Sequence, residues 1–95
     1  MDSITLICKH GLKLTICEED LKNIPVLYQR YLNKINQDKI SLVVNFDHSV
    51  IIKVIDYYVK SDNNFTNDIQ SILQFAIIYN CFDLRDEIIK NINLS

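Results

Sequence analysis

Residues 47–49 read Asp-His-Ser, the one place where a carboxylate, an imidazole and a hydroxyl are contiguous. Nucleophilic catalysis needs those three groups in mutual hydrogen-bond reach, with the imidazole as base and the carboxylate orienting it. Neighbours in sequence do not meet that geometry by adjacency, and a helix start capped by Asp47 is the simpler reading of Phe46-Asp47-His48-Ser49. The other histidine, His10, stands beside Gly11 with no second ligand nearby. Cys8, Cys17 and Cys81 fall at unrelated spacings with no C-x-x-C pair, which reads as reduced core thiols of an intracellular protein rather than a disulfide or metal framework. A single glycine leaves no phosphate-binding loop. These residues point away from an enzyme, a metal and a cofactor.

The elements that must position such residues follow from periodicity. Ile4 to Lys9 and Leu12 to Cys17 read as two strands of a hairpin closed at His10-Gly11, with Leu12, Leu14 and Ile16 alternating against Lys13 and Thr15. Glu18-Glu19-Asp20 favours a helix N-terminus, and Pro25 ends that short helix and opens a second. Leu27, Tyr31 and Ile35 mark the second helix's apolar face, flanked by Tyr28 and Leu32. Ile40 to Val44 is a third strand by its β-branched content. From Ser49 the period changes to helical, with Ile51, Val54 or Ile55, and Tyr58 on one face, and Ser61 to Asn64 is a loop. Thr66 or Asn67 is expected to cap a helix striped by Ile69, Ile72, Leu73, Ala76 and Ile77; Asp83 is expected to cap the last, bearing Leu84, Ile88 and Ile92. The expected fold class is α+β: a small three-stranded mixed sheet with about five helices laid mainly on one side. Tyr57, Tyr58, Tyr79 and Phe82 fit either core packing or a partner-binding patch.

Composition bounds the function. The 95 residues suffice for one domain, spanning 1–95, with 48% hydrophobic and 23% charged residues, the balance of a packed protein. Net charge is −2 and the basic residues are scattered, so nucleic acid is a poor partner. No apolar run approaches the roughly 20 residues that span a bilayer, and no secretory signal opens the chain. The expectation is an intracellular, cytoplasmic or nuclear protein with neither membrane nor small-molecule substrate.

Val50-Ile51-Ile52-Lys53-Val54-Ile55-Asp56-Tyr57-Tyr58-Val59 resembles the tyrosine-ended helix of the BTB/POZ and SKP/elongin C families, and Ile77-Ile78-Tyr79-Asn80-Cys81-Phe82-Asp83-Leu84 resembles the "L-A-A-N-Y-L-D-I" stretch of SKP-type adaptors. Ile4 to Cys17 is similar to their opening hairpin, and Val26 to Leu32 to the helix that follows. The resemblance spans nearly the whole chain through degenerate apolar patterns. It implies a BTB/POZ fold and a protein-interaction adaptor that links a cullin-RING ubiquitin ligase to a substrate receptor or target. The alternative is a self-associating scaffold or transcription-regulator module without a ligase role. Carried over by position, the cullin-facing surface comprises Asn45, Phe46, Asp47 and Ser49, with Asn80 and Cys81, where Cys81 stands in place of the family's aromatic residue. The family's usual extra N-terminal helix is missing from the pattern, which argues against its swapped homodimer. The Ile- and Asn-rich composition is what an A/T-rich genome encodes. Poxviruses and giant DNA viruses carry such modules, so a viral protein acting on host partners is part of the expectation.

Overall fold

The computed structural model describes residues 3–65 and 68–93. Alternation sets the first two strands: β1 (Ser3–Ile7) and β2 (Lys13–Cys17) pair antiparallel with Ile4 opposite Ile16 and Leu6 opposite Leu14. The third strand, β3 (Ile40–Val43), lies parallel to β1 with Ile4 beside Ile40 and Leu6 beside Leu42, so the sheet runs β2-β1-β3 with β1 central. Two apolar rows therefore cross the sheet, Ile16-Ile4-Ile40 and Leu14-Leu6-Leu42, and all of these but the half-buried Leu14 belong to the buried core. The other face carries Thr15, Thr5 and Ser41 in a third row. Period-two patterning thus decides which face the helices cover.

The connection between β1 and β2 differs from a tight hairpin. A single 3-10 turn over Lys9–Gly11 joins them, with positive φ at both His10 (66°) and Gly11 (78°). Cys8 N–H donates to the Leu12 carbonyl at 2.6 Å, and Lys9 N–H donates to the Phe46 carbonyl at 3.0 Å. That second bond pulls the loop toward the β3 end and is why β1 stops at Ile7 rather than running to Lys9.

The helices begin where charge and proline place them. Acidic residues fill the first turn of α1 (Glu18–Leu21), and Pro25 is the first residue of α2 (Pro25–Leu32). Leu27 and Tyr31 are the buried side chains of α2, whereas Leu32 and Ile35 are exposed, so the apolar face is narrower than the spacing suggests. The longest helix, α3 (His48–Lys60), buries Val50, Ile51 and Val54; α4 (Ile69–Ile78) and α5 (Phe82–Asn93) complete the roof. Residues Thr66 and Asn67 lie outside the described residues, and the position before α4 is held by Asp68, whose side chain makes no capping bond. Asp83 is not ahead of α5 but within its first turn, accepting from Leu84 N–H at 3.0 Å and from the Tyr58 hydroxyl at 2.7 Å. The chain is thus a small α+β domain with a three-stranded mixed sheet and, among the described residues, five α-helices around one hydrophobic core. No described helix is long and apolar enough to cross a membrane.

Candidate functional site

The β3–α3 connection and the α4–α5 turn are some 35 residues apart in sequence, yet the fold brings them to one surface. Three rings stack beneath it. Phe46, half-buried in the connection, meets Phe75 of α4 edge-on at 5.1 Å between centroids and Tyr79 at 6.0 Å; Phe75 and Tyr79 lie 4.6 Å apart. Aromatic contacts of this geometry fix the connection against the end of α4. Arg30, from α2, reaches over the Tyr79 ring at 5.8 Å and donates to the Val43 carbonyl at 3.4 Å. Arg30 thereby ties α2, β3 and α4 into one rim.

A groove of about 500 Å³ opens there, lined by Asn45, Phe46 and Asp47 on one bank and by Ser71, Gln74 and Ile78 of α4 on the other, with Lys9 and Arg30 beside them. On the far side of Arg30 a second hollow is lined by Pro25, Gln29, Asn33 and Asn80. Of the sequence-expected residues, Asn45, Phe46 and Asp47 line one hollow and Asn80 the other, and Arg30 lines both. Ser49, exposed on the first turn of α3, is not among the groove's lining residues.

Asp47 stands at the N-cap of α3, as expected, but its side chain makes no capping bond. Its own carbonyl already takes the N–H groups of Val50 (3.0 Å) and Ile51 (3.2 Å), so the carboxylate is left to the groove. Asn80 ends α4 in the left-handed region, φ 59°, with Cys81 N–H donating to the Ala76 carbonyl at 2.8 Å and Asn80 N–H to Ile77 at 3.5 Å. This is the Schellman closure of a helix, for which asparagine is the usual substitute for glycine. The position of Asn80 is thus set by helix termination, and its exposed side chain is free for contact.

Cys81 requires a correction. Its side chain is 1% exposed, with Sγ 3.8 Å from the Asn23 and Tyr79 carbonyls, so it forms part of the floor and does not face a partner. The last turn of α4 and the first of α5 close over it. Burial pushes the thiol up to about 11; the Tyr58 hydroxyl beside it acts in the opposite sense, and Asp83 adds to the rise. The same burial, with the hydrogen bond to Asp83 next in weight, raises the Tyr58 phenol well above its ordinary value.

Chemically the groove offers amide and hydroxyl groups, two cations and one carboxylate over an aromatic floor, which suits recognition of a polypeptide surface. Among the described residues no hydrogen bond joins the side chains of Asp47, His48 and Ser49, and no three histidine, cysteine or acidic side chains cluster as metal ligands would. Sequence reasoning missed Arg30, Lys9, Gln74 and Ile78. No sequence signal marks Arg30, whose place depends on how α2 packs beside the β3 edge. No protein-family model matches the chain, and no curated protein matches its sequence.

Proposed function

We propose that this domain is a non-catalytic adaptor of the BTB/POZ and SKP/elongin C type, meeting a cullin through the groove and a substrate receptor or target protein through a separate surface. The observation that carries the reading is the meeting of the β3–α3 connection with the α4–α5 turn around Arg30. The sequence resemblance assigns these two segments to cullin contact, and they lie on one face although distant in the chain. An interface centred there would have a polar rim around the half-buried Phe46 ring and the Arg30 guanidinium, aromatic and arginine side chains being enriched at interfaces.

The test is co-elution and calorimetric titration of the purified chain with a panel of cullin N-terminal domains. The expected affinity for one of them is micromolar or better. Asn45→Arg, an exposed substitution on the groove's bank, should weaken binding at least about tenfold, which corresponds to ~1.4 kcal/mol. Asn80→Lys should do the same, with the Asn45 variant guarding against an effect on the α4 terminus alone. Unchanged binding in both removes the site assignment, and absence of binding to every cullin removes the function.

A further inference from the structure

The two edges of the sheet are finished differently. On β3 the outward carbonyls are covered: Arg30 Nη1, from α2, donates to Val43 O at 3.4 Å, and Lys34 Nζ, from the turn just past α2, donates to Ser41 O at 3.1 Å. Cations laid across an edge are one of the standard ways a sheet avoids pairing with another chain. On β2 nothing comparable is present among the described residues. The bond from Cys8 N–H to Leu12 O fixes the ladder phase, so Leu14 and Ile16 exchange bonds with β1 while Lys13, Thr15 and Cys17 turn their backbone groups outward. Among the described residues no side chain bonds to the outward groups of Lys13 or Thr15, and all three residues are exposed. The apolar margin of this edge is also incomplete: Leu12 is 54% exposed and Leu14 only half-buried, and among the described residues no strand lies beyond them.

We infer that β2 is a dimerisation edge, pairing antiparallel with β2 of a second copy about a two-fold axis at Thr15. The occupant is argued from charge. The strand begins with Lys13 and runs directly into Glu18-Glu19-Asp20, so its two ends carry opposite signs. In an antiparallel pair centred on Thr15, Lys13 of each copy lies opposite Cys17 of the other, next to the other copy's Glu18 and Glu19. The Glu19 side chain is 82% exposed, and its pairing with Lys22 at 3.2 Å is a surface contact of small worth, so it is available. A parallel arrangement would instead set like charges side by side. The same register places Ile16 of one copy beside Leu14 of the other, continuing the apolar rows across the junction, and sets the two Thr15 residues face to face as a favourable cross-strand pair. The result is a six-stranded sheet of order β3-β1-β2-β2-β1-β3 whose outer edges are the two cation-covered β3 strands. A five-residue junction is small, so the association is expected at the weak end of specific complexes.

Sedimentation equilibrium of the full chain tests this, with the mass expected to rise toward that of a dimer as concentration increases to about 0.1 mM. Thr15→Pro removes only an outward N–H, which an edge strand tolerates. It should leave the far-ultraviolet circular dichroism unchanged and the protein monomeric. Lys13→Glu should weaken association about tenfold, since two symmetry-related attractions become repulsions. Adding Glu19→Lys to that variant should restore it, and this pair decides the matter if Thr15→Pro fails to fold. A wild type that stays monomeric, a dimer indifferent to both substitutions, or a charge exchange that fails to restore association would each overturn the inference.

Discussion

Cys81 sits where three polar side chains, its own thiol, the Tyr58 hydroxyl and Asp83, join α3 to the start of α5. The thiol's folded value near 11 is above its ordinary 9.0, so the folded chain keeps a proton that the unfolded chain gives up. Stability from this group is complete below pH 9 and is lost as pH rises toward 11. The expected loss is on the order of 1–2 kcal/mol, read from urea unfolding midpoints across that range, and Cys81→Ala should make the decline shallower. A slope identical in the variant would show that the buried thiol does not release its proton on unfolding alone. Asn80 illustrates the opposite situation, a residue whose backbone role at a helix end leaves its side chain uncommitted, and Ser61, at φ 56° after α3, repeats it.

At the scale of elements, the beginnings of α1 and α2 were legible because acidic residues and Pro25 act through local physics. The same holds for β1 and β2, where alternation fixes the covered face. The face of α4 was legible in part: of the expected stripe Ile72 and Ala76 are buried and Ile69 and Leu73 pack against the core, but the edge of the face was not. Ile69, Ile72, Leu73, Phe75, Ala76, Ile77 and Ile78 surround that helix with apolar side chains, so periodicity cannot choose among orientations. The expected stripe included Ile77, but the structure buries Ile72, Phe75, Ala76 and Tyr79 and leaves Ile77 52% exposed. The contacts of Phe75 with Phe46 and Tyr79 decide the rotation, and those depend on a segment some thirty residues away. Ile77→Lys should therefore change stability by less than about 0.5 kcal/mol, whereas Phe75→Ala should cost about 3–5 kcal/mol in chemical denaturation. Comparable losses from the two would mean that α4 is turned otherwise. The groove was half legible for the same reason: the connection and the turn could be named from sequence, but Arg30 enters only through the placement of α2 against the β3 edge.

Taken whole, the molecule is organised around β1, the strand with neighbours on both sides. Leu6 is fully buried, with Leu14 on one flank and Leu42 on the other. Leu6→Ala should cost about 3 kcal/mol or more, within the range for a large-to-small change where the surroundings cannot collapse. For a domain of this size that is a large share of the total, so the variant's thermal midpoint should fall by more than about 10 °C. A drop of only a degree or two would mean that the sheet's centre is loosely packed.

The parallel pairing of β1 with β3 sets an order of events during synthesis. β1 can close with β2 as soon as residue 17 is available, a short-range step, but its other side stays bare until Ile40 to Val43 arrive. Closing that longer loop is the slower event, since distant contacts must be found before they reward the chain. A nascent chain leaving the ribosome therefore carries its central strand half-unsatisfied through more than twenty residues of translation, and that interval is when a chaperone has most to shield.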